Sequence, residues 1–305
     1  MNVIVCPDGH RLHVNQWLPE DGRIEGILLI VHGMGEYGER YAPLANWLRI
    51  KDIAVYAYDQ RGHGATFAAN GAPRGHFADR DGWNLVVNDL FHVLQQVKAE
   101  HPGIPVFLLG HSMGSLIVRT YLQQYGDLVK GAIHSAASGP MGALAKIGYW
   151  LALAEIRLIG LRGYSKRMSR LLTGNFNRAF RPERTLFDWL TRDEREVDAY
   201  LASDRITINF TAAFYRDMVG GAIGLNKRAN MMRTPKDLPM LFISGSRDPL
   251  GDFGTGVTKT KDRYLEAGCK DITLVLYPDA RHELLQELNS DEVKRDIWEW
   301  IRKHL

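Results

Sequence analysis

Apolar positions in this chain fall into two alternating rhythms. Residues 11–17 alternate with period two, as a half-covered strand would. Residues 26–31 are apolar without interruption, which fits a strand buried on both faces. Residues 41–50 place Leu44, Trp47 and Leu48 on one side of a helix, and 53–58 read as the next strand. Residues 85–98 space Val86, Leu90, Val93, Leu94 and Val97 for a second helix. A strand at 105–109, a helix at 115–122 and a strand at 129–134 follow. The alternation resumes with strands at 239–244 and 272–277 and helices at 258–267 and 291–304. Doubly buried strands alternating with helices predict an α/β fold with a mostly parallel central sheet flanked by helices.

Between residues 135 and 235 the strand signal stops. This stretch reads as short helices at 143–159, 184–190, 194–201 and 208–219. A single crossover needs only about a dozen residues, so the segment reads as an insertion in preference to a set of ordinary crossover helices. Insertions of this kind land at the carboxyl edge of the sheet, where a lid would cover a site. The expected division is a core at 1–135 and 236–305 with a helical lid or cap insertion at 136–235.

Composition narrows the picture without deciding it. The chain has 305 residues, 45% apolar and 24% charged, ordinary for a globular enzyme. A net charge of +3 announces no nucleic-acid partner. Cys6 and Cys269 form no disulfide framework. The first residues lack the basic and apolar regions of a signal peptide, so a cytoplasmic location is expected. The apolar run 141–161 is broken by Lys146, Glu155 and Arg157, so it does not read as a membrane span. Residues 141–184 carry nine Lys or Arg against two Glu, together with Tyr149, Trp150, Leu151 and Leu158. Such a segment can make peripheral contact with an anionic membrane, or it can be a solvated basic face over a packed interior.

The chemistry is concentrated in Gly110-His111-Ser112-Met113-Gly114, a G-x-S-x-G between a strand and a helix. This is the pattern of a nucleophile elbow, a turn too tight for a Cβ at either glycine. A serine hydroxyl is a poor nucleophile at neutral pH and needs a base, which in turn needs an orienting acid. Asp248 follows the strand 239–244 and His282 follows the strand 272–277, in the chain order Ser, acid, His. Asp252 and Asp279 are rival acids, and His134 is a rival base. Oxyanion donors are expected from the backbone N–H of Met113 and from Met34 in the loop His32-Gly33-Met34-Gly35-Glu36. The cluster Asp59-Gln60-Arg61-Gly62-His63-Gly64 reads as a tight turn fixed by local Asp and Arg hydrogen bonds. The histidines have no zinc-site pairing, and no glycine-rich phosphate loop opens a helix, so no metal and no cofactor is expected.

Taken together, these motifs resemble the α/β-hydrolase superfamily, in its monoacylglycerol lipase and lysophospholipase-like branch of S33-type serine hydrolases. His32-Gly33-Met34-Gly35-Glu36 with Arg40-Tyr41, the Ser112 elbow, Ser246-Arg247-Asp248-Pro249 and Arg281-His282-Glu283 carry the resemblance. Ser115 departs from the second glycine that many members have after the elbow. The resemblance implies an α/β-hydrolase fold and hydrolysis of a small lipid ester, monoacylglycerol first, through an acyl-enzyme. It further implies that Glu36, Arg40 and His111 line a polar pocket for the glycerol end. Read from the residues alone, Glu36 and Arg40 could equally be an i,i+4 ion pair. Lysophospholipase, general carboxylesterase, aminopeptidase and a non-catalytic binding protein are the alternatives.

Overall fold

The computed structural model describes residues 2–140 and 142–305. Met1, and Met141 at the head of the apolar run, lie outside the described residues. The strands are β1 (Val3–Val5), β2 (Arg11–Trp17), β3 (Gly26–Val31), β4 (Ile53–Tyr58), β5 (Val106–His111), β6 (Gly131–Ser135), β7 (Met240–Gly245) and β8 (Ile272–Tyr277). They form one sheet in the order β1-β2-β4-β3-β5-β6-β7-β8. The β1–β2 and β2–β4 pairs are antiparallel, and every later pair is parallel.

The helices are α1 (Ala42–Arg49), α2 (Gly64–Asn70), α3 (Gly82–Glu100), α4 (Met113–Tyr125), α5 (Ala143–Ile159), α6 (Lys166–Thr173), α7 (Glu194–Ala202), α8 (Ala212–Leu225), α9 (Arg228–Met231), α10 (Thr255–Glu266) and α11 (Ser290–His304). The period-two rule sorts each central strand between two cores. Ile27, Leu29 and Val31 of β3 join α3 and α4 on one face. Leu28 and Ile30 join α1 and α11 on the other. Every residue of β3 to β7 is buried, which is why these strands read as unbroken apolar runs.

The stretch between β6 and β7 holds α5 to α9. It is not uniform. Phe214, Tyr215, Ala222 and Leu225 of α8 belong to the same core cluster as α3 and α4, which it packs against, whereas α5 and α6 each give that cluster one buried residue, Ala152 and Met168. Gly221 lets α8 approach α3, because a Cβ there would lie 2.1 Å from the Trp83 indole.

Several boundaries differ from expectation. Residues 184–190 form turns instead of a helix. The Asp188 carboxylate accepts from the Arg184 and Thr185 amides, and Asn177 Oδ1 accepts from Trp189 N at 2.8 Å. Side chains that capture backbone donors in this way compete with the helix. The expected helix at 208–219 begins at Ala212 because Thr211 caps it, accepting from Phe214 N at 3.2 Å, and it runs on to Leu225. The short α6, capped by Ser165, and the three-residue β1 had no counterpart in the sequence pattern.

Candidate active site

Ser112 sits between β5 and α4 with φ 52° and ψ −117°, a conformation that L-residues rarely adopt. The flanking glycines make the turn feasible. A Cβ on Gly114 would lie 2.0 Å from the Val31 carbonyl oxygen, and one on Gly110 would lie 2.6 Å from the Gly114 carbonyl oxygen. Ser112 N donates to Ser135 O at 2.9 Å, which fixes the turn to the neighbouring strand.

Asp248 and His282 arrive from the loops after β7 and β8. These loops touch: Arg247 N donates to Ala280 O at 2.9 Å, and a Cβ on Gly245 would lie 2.1 Å from that oxygen. His282 Nδ1 donates to Asp248 Oδ2 at 3.0 Å, and Asp248 Oδ1 accepts from Leu250 N at 2.9 Å. Both side chains are buried. Burial works against the imidazolium, but the Asp248 charge and hydrogen bond outweigh it and raise the His282 pKa above its ordinary value. Ser112 and His282 line one cavity. The described hydrogen bonds join His282 to Asp248 and do not join Ser112 to His282, a looseness common before substrate binds. The rivals lie elsewhere: Asp252 is exposed and accepts from Thr255, Asp279 is exposed in a turn, and His134 is buried against Phe242.

Met34 and Met113 also line the cavity. Met113 is the first residue of α4, so its amide has no acceptor within the helix. Neither amide donates in the described loop and cap hydrogen bonds. Glu36 shapes the Met34 loop. Its Oε1 accepts from Gly33 N at 2.5 Å and from Tyr41 Oη at 2.9 Å, and its Oε2 accepts from Arg40 at 3.1 Å. Arg40 also grips Glu283, the neighbour of His282. Glu36 and His111 line the cavity, whereas Arg40 lies behind them and lines an adjacent recess with Tyr37 and Gln286. Burial opposes the Glu36 charge, but His111, Arg40 and the Gly33 amide hold its carboxyl below the usual range. Burial pushes His111 down to about 4 against the pull of Glu36, so its imidazole is neutral at pH 7.

The cavity measures about 490 Å³. Apolar side chains from α4 (Leu116), from α8 (Tyr215, Met218) and from the rest of the segment between β6 and β7 (Leu172, Phe176, Phe210) dominate its wall. Sequence reasoning missed Trp189, whose ring lies 4.7 Å from that of His282, and Glu283 as the partner of Arg40. It also missed His32, which accepts from Gln60 N at 2.9 Å and pins the Asp59–Gln60 loop. The turn at Asp59 is local only in part: Asp59 accepts from Ala65 N nearby and from Gly38 N, 21 residues earlier, both at 2.7 Å. Arg61 instead reaches away to Asp89 at 2.6 Å and Asp8 at 2.7 Å.

The segment 187–192 is stitched to the loop that bears His282. Glu283 N donates to Leu190 O at 2.7 Å, and Arg281 donates to the carbonyls of Asp188 and Thr191. Glu287 accepts from Arg192 Nε at 2.8 Å.

The family described as serine aminopeptidase, S33, matches residues 22–289. The chain is 28% identical to the monoglyceride lipase of Homo sapiens over 308 residues, covering 98% of this chain and 89% of that one. It is 36% identical to the monoglyceride lipase homolog of monkeypox virus over 303 residues, covering 98% of this chain and 96% of that one. A carboxyl esterase from Bacillus coagulans in complex with glycerol has the same fold, with a TM-score of 0.92 at 23% identity over 99% of this chain and 97% of that one. The mostly parallel sheet, the elbow after β5 and the converging loops after β7 and β8 are those of an α/β hydrolase, and the chain belongs to the serine aminopeptidase S33 family.

Proposed function

We propose that this chain is a carboxylic ester hydrolase acting on single-acyl-chain lipids, monoacylglycerols first among them. The observation that carries the reading is that His282, held from behind by Asp248, lines the same apolar cavity as a strained Ser112. The relatives named monoglyceride lipase, which match along nearly the whole chain, support it. In this mechanism His282 takes the Ser112 proton as the hydroxyl attacks the ester carbonyl. Asp248 holds the imidazole in the tautomer that accepts at Nε2 and stabilises the imidazolium. The Met34 and Met113 amides receive the oxyanion. His282 returns the proton to the leaving alcohol, then activates water to cleave the acyl-enzyme.

The acyl chain lies along the apolar wall, and the alcohol end meets His111 and Glu36, with Arg40 acting through Glu36 and Glu283. Within 136–235, the part outside α8 serves as the lid over the core at 1–135 and 236–305, and α8 packs with that core. A second reading, lysophospholipase, is favoured by Arg170, Arg178 and Arg181, which line the same cavity. Fatty-acid release from monoacylglycerol and from lysophosphatidylcholine of equal chain length, with Ser112→Ala as blank, separates the two. Activity on neither, with no fluorophosphonate labelling of Ser112, overturns the hydrolase reading.

Peripheral membrane contact through the lid is part of the proposal. Among the described residues no helix is long and apolar enough to cross a membrane. On α5, Leu144 is 81% exposed and Trp150 69% exposed, amid the basic residues of 141–184. Such a face binds anionic lipid through apolar insertion and charge together. Co-sedimentation with vesicles should rise with anionic lipid content and fall with salt. Indifference to both removes the membrane contact.

A further inference from the structure

Away from the cavity, a charged side chain is buried with no counter-charge. Arg119, on the inward side of α4, is 0% exposed. Its Nε donates to Tyr264 Oη at 3.1 Å, and its guanidinium carbon lies 5.4 Å from the centroid of that ring. Nη1 and Nη2 have no hydrogen-bond partner, and among the described residues no carboxylate pairs with the guanidinium within 4.0 Å. His134 on β6 is also 0% exposed, with both ring nitrogens unpartnered. Its ring lies 4.7 Å from that of Phe242, which lies 5.9 Å from Tyr264. Phe242 thus stands between the His134 and Tyr264 rings, and burial first, then the Arg119 charge, hold His134 well below its ordinary pKa.

A donor count shows what this junction of α4, β6, β7 and α10 would accept. The two Nη atoms carry four N–H donors, a neutral imidazole adds one, and Tyr264 Oη, having accepted from Arg119, keeps its own proton to give. The single acceptor left over is the second imidazole nitrogen. The junction is therefore rich in donors and carries one positive charge. A neutral partner would fill hydrogen bonds and leave that charge uncompensated, which is costly in a buried setting. A small anion answers both needs. An approach is at hand as well. Thr260 Oγ1, one helical turn before Tyr264, donates to Ser138 O at 3.0 Å, and Ser138 lines the catalytic cavity with its own buried Oγ unpartnered.

We propose that Arg119, with His134 and Tyr264, forms a buried binding site for a small monovalent anion of halide size. The site stands apart from the reaction. Its occupant ties α4, the helix that follows Ser112, to the sheet and to α10, so its effect falls on the stability of that scaffold.

Two experiments on the intact protein test this. Crystals soaked in sodium bromide should show an anomalous peak within about 3.5 Å of an Arg119 Nη atom. Thermal unfolding of wild type and Arg119→Met should be compared in sodium bromide and sodium sulfate at equal ionic strength. Methionine fills similar volume without charge, so general salt effects cancel in the comparison. Over a tenfold rise in bromide, the wild-type Tm should climb at least ~2 °C more than the Tm of Arg119→Met. Ordered water alone at the guanidinium, with wild type and Arg119→Met responding alike to bromide, overturns the proposal. Should Arg119→Met fail to fold, the bromide map of the wild type decides by itself.

Discussion

Arg40 and Glu283 form a two-pronged pair, Nη1 to Oε1 at 2.7 Å and Nη2 to Oε2 at 2.8 Å, across 243 residues of chain. The same guanidinium holds Glu36, so one cation fastens the Met34 loop to the His282 loop. Removing one member of a buried pair leaves the other charge exposed to the low-dielectric interior. Arg40→Ala should cost about 3–5 kcal/mol of folding stability, read as a lower urea midpoint at unchanged slope. Arg40→Lys should recover only part of this, because an ammonium cannot reproduce the planar fork. Wild-type stability in Arg40→Ala would show that the pair contributes nothing.

Asp248→Asn should lower kcat by ~10³–10⁴-fold, because the amide favours the wrong imidazole tautomer. Substitution of Asp252 or Asp279 should leave kcat within ~3-fold, since neither touches His282 and surface changes are usually mild. A comparable loss at either of those aspartates would reassign the acid.

The strain at Ser112 should be measurable as stability. Ser112→Gly and Ser112→Ala both delete the hydroxyl, and only glycine relieves a φ of 52°. Ser112→Gly should exceed Ser112→Ala in unfolding free energy by ~1–3 kcal/mol. Equal stability would mean that the elbow carries no strain.

The buried histidines set a pH dependence with a definite sign. The His111 pKa falls from 6.5 to about 4 on folding, and that of His63 to about 3, both chiefly by burial. Between those values and 6.5 the unfolded chain binds more protons, so stability present above pH 6.5 is lost as pH falls toward 4. For His111 alone the loss is on the order of 3 kcal/mol. His282 works in the opposite sense. Its raised pKa contributes stability below about 6.5 that is lost as pH rises through the higher folded value. Urea midpoints at pH 7 and pH 4.5 should therefore drop steeply on the acid side, and the acid limb of kcat/KM should lie above 6.5. A flat stability profile over that range would contradict the burial of His63 and His111.

What could be read from the chain and what could not divide along a physical line. The strands β3 to β7 declared themselves because both faces are covered, and Gly110 and Gly114 because the turn leaves no room for a Cβ. Segment 184–190 misled because Asp188 and Asn177 take backbone donors that helical periodicity assumes are free. Glu283 was in plain view beside His282, yet its tie to Arg40 depends on two loops that only the folded sheet brings together. Arg61 likewise looked local and reaches to Asp89 and Asp8.

The bonds between 187–192 and the His282 loop bear on how substrate would enter. On the proposed mechanism, the roof over the serine and the proton acceptor form one mechanical piece. Swinging Trp189 outward would drag the imidazole from Asp248 and disarm the site at the moment of loading. On the same mechanism, entry past α6, which among the described residues lines the cavity without bonding to the His282 loop, would leave the base in place.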